Sequence, residues 1–433
     1  MVVPKAQFTL IALICSSPAI LLRDGLAMQG FVAGTVGIAL AIVATNLRAS
    51  ELEFLRTVTR SLLTFAIVPM LWMLIQILPF GILTHPIWSS AGSALGLTSV
   101  GRISVDPGAS VIGLGQYTTL VAVSLLSAAV AVDRKRAETL LFALTIAGVT
   151  SALVVLMRTW LLPKLEFAPL LRAQAGVCIA MGTIVASAAC IRTFERYENR
   201  RGRSKSSLSM PLLTFALSAA AVAICASALV LDGSRKVLFA TACGVAPLAC
   251  VLIIRRLQLR MWGITAIAIP LTGIAVLLVA AMPSEHGRSL VLSFVDPPAA
   301  SPPAMSERVL DDAPAVGTGA GTFAAIAPIY RQKDDPPPGT TAATTAANFA
   351  IELGRPMLWL ILLAILGSIV IFLKSSLVRG RDFFYPALGA SCIITLLLLS
   401  FVNAGLSGTA ASLIAAVILG LAIAQSKSQT QQI

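Results

Sequence analysis

TLLFALTIAGVTSALVVLM, residues 139–157, contains no charged side chain. A helix rises about 1.5 Å per residue, so about 20 apolar residues span the hydrocarbon core of a bilayer. The run follows the charged segment 133–136 and ends before Arg158, and such charges are typical of the two borders of a membrane segment. The stretch therefore predicts a membrane-spanning helix.

Similar apolar runs recur along the whole chain of 433 residues. Apolar residues make up 57% of it, charged residues make up 12%, and its mean hydropathy is +0.90. A soluble globular domain has more charge and fewer long apolar runs, so the composition excludes that class. The sequence predicts an all-α integral membrane protein with about twelve transmembrane helices, at residues 8–22, 27–46, 61–80, 109–132, 139–157, 173–191, 211–231, 237–254, 261–282, 356–373, 383–403 and 409–425.

These runs divide the chain into two membrane domains and a loop. Spans one to nine lie in residues 1–282, and spans ten to twelve lie in residues 356–425. Between them, residues 283–355 form the longest segment unsuited to a bilayer, and we expect short helices there. Residues 426–433 are polar and predict a disordered tail. The first run, 8–22, resembles a signal peptide, but the charged pair and the span that follow it favour an uncleaved helix.

Positive residues set the expected orientation. The larger share of the 32 Lys and Arg residues falls in loops on one side of the membrane, which the positive-inside rule assigns to the cytoplasm. Both termini are then cytoplasmic, and the loop 283–355 lies on the outer side. The net charge of +13 reflects loops that meet anionic lipid headgroups, and we expect no nucleic-acid partner. The Arg-rich segment 192–205 is expected to be a solvated tether near the lipid.

The seven cysteines all lie within apolar runs: Cys15, Cys178, Cys190, Cys225, Cys243, Cys250 and Cys392. None stands near a second cysteine or a histidine at the spacing of a metal site, so we interpret them as small buried hydrophobic residues. We therefore expect no disulfide framework, no metal and no cofactor.

The loop 283–355 contains a glycine run, Gly317, Gly319 and Gly321, within the sequence VGTGAGTF. Two explanations stay open for this run. It either packs its backbone tightly against the helices, or it forms a nest of amides that faces an oxyanion such as a phosphate. A nucleotide-binding loop is excluded because no strand precedes the run.

Three positions near the run or the outer face leave further alternatives. Ser306 is expected to cap a short helix over residues 306–313. Glu352 either pairs with Arg355 three residues later or faces a cavity, where burial would raise its pKa towards that of a useful base. Arg172, at the start of span six, either extends to the lipid surface or holds an anion.

Several of these residues resemble a known family in their order. Trp72, Gln76 and Pro79 follow one another as Trp-x3-Gln-x2-Pro, and Ile-Ser-x-Asp-Pro occupies residues 103–107. The patterns Arg-x8-Gly-x-Gly-x-Gly-x-Phe-x6-Tyr and Asn-x3-Glu-x-Gly follow later, on Arg308, Gly317, Gly319, Gly321, Phe323, Tyr330, Asn348, Glu352 and Gly354. With the twelve-span layout, this order resembles the O-antigen ligase and O-antigen polymerase superfamily.

The resemblance implies a metal-independent glycosyl transfer on the periplasmic face of a bacterial inner membrane. A glycan on undecaprenyl pyrophosphate would be the donor, and the hydroxyl of an acceptor glycan or lipid would attack its first sugar carbon. Arginine suits the pyrophosphate leaving group, since its planar donors match phosphate oxygens and it stays charged. The catalytic residue that the resemblance implies is Arg308, and Glu352 and His286 are the candidate bases. The substrate-binding residues are Arg172, Arg288, Gly317, Gly319, Gly321, Tyr330 and Asn348.

One departure from the family pattern leaves three functions open. Ligases of the family carry a histidine at the position that Ala343 occupies here. His286 takes that role only if the loop folds back, and Glu352 is the other candidate base. The three functions are that of a polymerase or ligase, that of a transporter of polysaccharide or lipid-linked sugar, and that of a non-catalytic partner of polysaccharide-assembly proteins.

Overall fold

The computed structural model describes residues 3–45, 49–79, 81, 83–96, 101–161, 168–201, 209–256, 302–333, 341–379 and 382–426. Within these ranges the regular structure is helical, and no β-strand is present. The all-α class that the apolar runs predict is confirmed. The expected span at residues 261–282 and the end of the polar tail lie outside the described residues.

The helices before residue 257 are α1 (Val3–Cys15), α2 (Ser17–Leu22), α3 (Leu26–Ala44), α4 (Ala49–Ile77), α5 (Pro86–Leu95), α6 (Pro107–Val130), α7 (Arg134–Leu161), α8 (Pro169–Arg201), α9 (Ser209–Leu231) and α10 (Arg235–Arg256). After residue 301 follow α11 (Pro302–Asp312), α12 (Phe323–Ile326), α13 (Thr345–Glu352), α14 (Arg355–Val378), α15 (Phe384–Val402) and α16 (Thr409–Ala424). Single 3-10 turns lie at Ala327–Tyr330 and Gly405–Ser407.

Eight of the described helices are long and apolar enough to cross a bilayer. They lie at Leu26–Ala44, Pro107–Val130, Arg134–Leu161, Pro169–Glu198, Leu212–Leu231, Arg235–Arg256, Arg355–Val378 and Phe384–Val402. Three shorter apolar helices, Lys5–Cys15, Leu63–Ile77 and Thr409–Ala424, coincide with further expected spans. The protein is therefore a membrane-embedded helical protein.

Several helix boundaries differ from the expected spans, and two of the differences have a clear physical basis. The first expected span is divided into α1 and α2, because Pro18 has no amide hydrogen to continue a helix and fits the first turn of α2. The other difference is at α8, which continues to Arg201. The described part of the segment 192–205 is therefore helical; the expectation of a solvated tether is wrong for Arg192 and Thr193, which are buried, whereas Arg196 and Glu198 are exposed.

Arg192, in the last third of α8, is buried among charged and aromatic partners. Its side chain is only 3% exposed, and its guanidinium forms an ion pair with Glu138 at 2.5 Å. It also donates a hydrogen bond to the Tyr385 hydroxyl at 3.1 Å and lies over the Phe384 ring, 5.5 Å from the ring centroid. A buried arginine needs such partners, because breaking a buried ion pair costs about 3–5 kcal/mol.

The bundle is centred on α8, which packs against α7, α9, α10 and α15. In the most apolar 18-residue stretch of its membrane-spanning part, 83% of the stretch is buried inside the protein. Small residues allow the close approach: a Cβ at Gly182 would lie 2.7 Å from the Gly148 Cα on α7. A Cβ at Gly244 on α10 would lie 1.7 Å from the Thr395 hydroxyl on α15. Such contacts stabilise membrane bundles, in which lipid is as apolar as the helices themselves.

Residues 302–333 and 341–354 form a small unit that we call the glycine lobe. Its core consists of buried side chains from α11, α12, α13 and the turns beside them: Met305, Val309, Phe323, Ile326, Ala327, Ala342 and Ile351. A second cluster attaches the lobe to α4 and α14 and contains Met73, Ala320, Leu353 and Met357. The lobe therefore lies against the ends of two apolar helices.

Gly420→Val is expected to destabilise the bundle, because its Cβ would lie 2.2 Å from the Ser124 carbonyl oxygen. Overpacking of a close contact costs about 1–3 kcal/mol. Gly37→Val is the matched control, since a Cβ at that helical position meets no atom within 4 Å. The measurement is the thermal unfolding midpoint of each purified variant in detergent. Equal midpoints for the two variants would contradict the close packing of α16 on α6.

Candidate functional site

Three segments far apart in the sequence meet at one end of the bundle. They are the last turns of α4, the segment before α6 and the glycine lobe. Gln76, Ser104 and Glu352 mark the three segments; the first two are fully buried, and Glu352 is 7% exposed. The family resemblance draws on the same three segments, so their meeting point is the candidate site.

The glycine run follows backbone conformations that other residues rarely adopt. Gly317, Gly319 and Gly321 have φ angles of 81°, 109° and 74°, in the left-handed region that favours glycine. The space around them is also closed. A Cβ at Gly317 would lie 2.3 Å from the Glu352 carbonyl oxygen, and one at Gly319 would lie 2.5 Å from the Ser104 hydroxyl. Conformation and packing therefore both require glycine here.

The glycine run supplies hydrogen-bond donors to the end of α13. The last carbonyls of a helix have no donor within the helix and need another one when they are buried. The amide of Thr318 donates to the Ile351 carbonyl at 3.0 Å. The amide of Gly319 donates to the Glu352 carbonyl at the same distance. In the other direction, the Thr318 carbonyl accepts from the Val105 amide at 2.9 Å, so the run joins α13 to the segment before α6.

Two side chains near the end of α4 donate hydrogen bonds to backbone carbonyls of the glycine run and of the end of α13. The Gln76 side-chain amide donates to the carbonyl oxygens of Val316 and Glu352, both at 3.0 Å. The Trp72 indole donates to the Leu353 carbonyl at 2.8 Å. Together with the glycine run, these side chains give each of the three carbonyls that close α13 a donor from another part of the chain.

The Glu352 carboxyl group is enclosed by the lobe. One of its oxygens accepts from the Phe323 amide at 3.3 Å, and the Gly321 amide and the Asn348 side chain also donate to the group. Burial raises the pKa of this carboxyl group to about 7, and the three donors partly offset that rise. Two amides in and just after the glycine run therefore face the protein's own carboxyl group, and the run packs tightly against α13.

The expected pairing of Glu352 with Arg355 is not present. The Arg355 guanidinium is exposed and donates to the Leu310 carbonyl of α11 at 2.9 Å. Glu352 is buried, and the backbone between the two residues passes through Gly354, where φ is 92°. The spacing of three residues did not bring the charges together because the helix ends between them.

The expectation that Ser306 caps a helix is wrong. The helix begins earlier, at Pro302, and proline fits a first helical turn. The Ser306 hydroxyl instead accepts from the Ala343 amide at 2.9 Å, and the Asn348 side-chain oxygen accepts from the Ala342 amide at 3.3 Å. Ala343, at the position of the family histidine, thus donates its backbone amide to Ser306 of α11.

Arg308 and Tyr330 are the other lobe residues named from the sequence. Arg308 is half-buried on α11, the helix that contributes Met305 and Val309 to the lobe core. The Tyr330 hydroxyl donates to the Asp312 carboxylate. Burial and this hydrogen bond raise the pKa of Tyr330 to about 12, so the side chain is neutral at physiological pH. Both residues are therefore tied to α11.

Arg172, in the first turn of α8, contacts Asp232, which follows the end of α9. Its Nε lies 3.3 Å from the Asp232 carboxylate, and a terminal nitrogen donates to the Asp232 carbonyl at 2.6 Å. Burial raises the pKa of Asp232, and the arginine opposes that rise. Arg172 is thus bonded to Asp232, the residue directly after α9.

His85 lies near the lobe, and the sequence reasoning did not single it out. Its Nδ1 accepts from the Ile87 amide at 3.3 Å and so caps α5. Burial lowers the pKa of its imidazole, and the nearby Asp312 partly offsets that change. The available signal was a polar residue just before a proline, which is typical of a helix start. Two expected site residues, His286 and Arg288, lie outside the described residues.

The known proteins do not identify this site. A scan against models of protein families finds no match, and a search of curated proteins finds no significant relative. Within the ranges that the structure describes, no three His, Cys, Asp or Glu side chains come together where they could hold a metal ion.

The buried carboxyl group of Glu352 predicts a pH-dependent stability. Its pKa of about 7 in the folded lobe lies above the ordinary value of 4.5, so the folded protein binds the proton more tightly than the unfolded chain. The contribution to the free energy of unfolding is fully present below about pH 4.5 and is lost as the pH rises to about 7. Glu352→Gln is expected to remove this loss, which is at most about 3 kcal/mol.

The measurement is the thermal unfolding midpoint in detergent between pH 5 and pH 8. Glu307→Gln is the matched control, because Glu307 is an exposed glutamate on α11. The control should keep the fall in midpoint that the unmodified protein shows, whereas Glu352→Gln should flatten it. Parallel profiles for all three proteins would mean that Glu352 does not bind its proton more tightly when folded.

Proposed function

We propose that this chain is a membrane glycosyltransferase of the O-antigen polymerase or ligase type. It transfers a glycan from undecaprenyl pyrophosphate to a hydroxyl of an acceptor glycan or lipid, at the periplasmic face of a bacterial inner membrane. The observation that carries the proposal is the contact of Gln76 with Val316 and Glu352, which lie 240 and 276 residues later. The two halves of the family resemblance are thereby one hydrogen-bonded unit.

The proposal includes twelve spans, with both termini in the cytoplasm and the glycine lobe in the periplasm. Support comes from the positive residues of the short loops and from the connection of the lobe to the membrane. The helix α13 ends at Glu352, and the apolar helix α14 begins at Arg355. The lobe is therefore close to the membrane surface, where the sugar of a lipid-linked donor is presented.

In the proposed reaction, the acceptor oxygen forms a bond to the first carbon of the donor sugar. The bond between that carbon and the pyrophosphate oxygen breaks, undecaprenyl pyrophosphate leaves with the electron pair, and the acceptor proton passes to water. Arg308 stabilises the charge on the leaving pyrophosphate, since guanidinium donors match phosphate oxygens. Glu352 keeps the glycine run in position, because its carboxyl group is bonded to Gly321 and Phe323.

Two contacts favour a second candidate function, that of a non-catalytic partner of polysaccharide-assembly proteins. The carboxyl group of Glu352 is buried in the lobe, and Arg172 is paired with Asp232. Glu352 therefore meets no substrate without a rearrangement, and a substrate at Arg172, whose side chain is 53% exposed, would compete with Asp232. In this role the lobe is a binding surface, and Arg308 has no leaving group to stabilise.

Arg308→Ala is expected to abolish polysaccharide synthesis without changing the amount of folded protein. The loss of a donor to developing negative charge lowers a rate about 10²–10³-fold. The measurement uses a deletion strain complemented with the wild-type gene, Arg308→Ala or Arg331→Ala. Arg331 is the matched control, because it is an exposed arginine of the same lobe. Polysaccharides are resolved on a gel, and lipid-linked intermediates are extracted.

The intermediates distinguish the candidate functions. Single repeat units that accumulate on the lipid indicate a polymerase, and full-length polymer that stays on the lipid indicates a ligase. Intermediates trapped on the cytoplasmic side indicate a transporter. Normal polymer with Arg308→Ala, in a background where the deletion itself abolishes polymer, would contradict the enzyme and favour the non-catalytic partner.

A further inference from the structure

The short helix α5 is apolar on one side and is not packed into the bundle. None of its residues is buried, and Ile87 and Leu95 are 37% and 71% exposed. At 3.6 residues per turn, Ile87, Ala91 and Leu95 lie along one side of the helix. Ser89 and Ser93 lie along the opposite side. The helix is therefore amphipathic, and on its apolar side Ile87 and Leu95 are exposed while Ala91 is half-buried.

The position of α5 is fixed by hydrogen bonds at its beginning. The Trp88 indole donates to the Ser104 carbonyl at 3.0 Å, and the His85 amide donates to the Arg102 carbonyl at 2.9 Å. At the other end, Gly96 has a φ of 64° and terminates the helix. These bonds hold the beginning of α5 to the segment before α6.

The polar groups of α5 are satisfied within the helix. The Ser89 hydroxyl donates to the Pro86 carbonyl at 2.7 Å, and the Ser93 hydroxyl donates to the Ser89 carbonyl at 2.9 Å. The sequence PIWSSAGSAL contains no charged side chain. The helix can thus enter a medium of low polarity at little cost, and its attraction to such a medium is hydrophobic and not electrostatic.

Exposed apolar residues also lie at the end of the apolar helix α4, which precedes α5 in the chain. Leu71, Ile75 and Leu78, at the end of α4, are exposed large hydrophobic residues. Leu83, which precedes α5 by only a few residues, is 61% exposed. Exposed leucine and isoleucine side chains on a membrane helix face lipid. The same lipid is therefore the nearest apolar medium for α5.

We propose that α5 is an interfacial helix in the boundary between headgroups and acyl chains, with Ile87, Ala91 and Leu95 turned towards the lipid. Helices of this kind bury their apolar side about 5–10 Å into that boundary. The proposal does not depend on glycosyl transfer. The Ser104 amide donates to the Gln76 carbonyl at 3.0 Å, so the residue that accepts from the Trp88 indole is also bonded to the candidate site.

The test uses the full-length protein in phosphatidylcholine vesicles, with an environment-sensitive fluorophore on one introduced cysteine. Ile87→Cys and Leu95→Cys report on the apolar side, and Ser89→Cys and Ser93→Cys are matched controls on the same helix. Phosphatidylcholine with brominated acyl chains quenches a fluorophore that lies among those chains. Cys15→Ser removes the exposed native cysteine from every variant, and residual labelling of this parent protein is subtracted.

We expect brominated lipid to quench the labels at positions 87 and 95 at least about twofold more than those at 89 and 93. Added salt or anionic lipid should leave the difference unchanged, because α5 carries no charge. Equal quenching on both sides, or no quenching at any position, overturns the proposal, since water or protein then surrounds the apolar side. Ala91→Cys replaces either apolar position if a label changes the unfolding midpoint.

Discussion

The buried carbonyls at the end of α13 are the constraint on which the candidate site depends. A helix cannot supply donors to its own last carbonyls, and a buried carbonyl without a donor costs about 1–3 kcal/mol. Here the donors come from Thr318 and Gly319 in the glycine run and from Trp72 and Gln76 on α4. This single requirement fixes the relative positions of α4, the glycine run and α13.

The molecule stabilises its two most notable buried charged groups in different ways. Arg192 meets the opposite charge of Glu138 and the faces of aromatic rings, so it remains half of an ion pair. Among the described residues, the donors to Glu352 are neutral, and two of them are backbone amides. Neutral donors offset burial less completely than an opposite charge does. The first group is therefore paired with an opposite charge, whereas the second gains and loses a proton near neutral pH.

The helices could be predicted from the sequence because bilayer thickness sets the length of an apolar run. Contacts between helices could not: the packing of Arg192 depends on Glu138, which no local pattern connects with it. Within the site, motif order alone pointed to Gln76, and its acceptors on Val316 and Glu352 follow only from the fold. The glycines were recognised as special, but their partner was not, because an amide nest looks the same in sequence whichever anion it faces.

The bonds from α4 to the lobe also have a consequence for the time at which the site is completed. The Glu352 carbonyl leaves the ribosome 276 residues after Gln76. At about 5–20 residues per second, that stretch takes roughly 15–55 s to synthesise. Until Val316 and then Glu352 are made, the Gln76 side-chain amide lacks these two native acceptors, although α4 and the later helices α5 to α10 come before both of them in the chain. The candidate site is thus assembled late in biosynthesis, from a helix made early and a lobe made near the end.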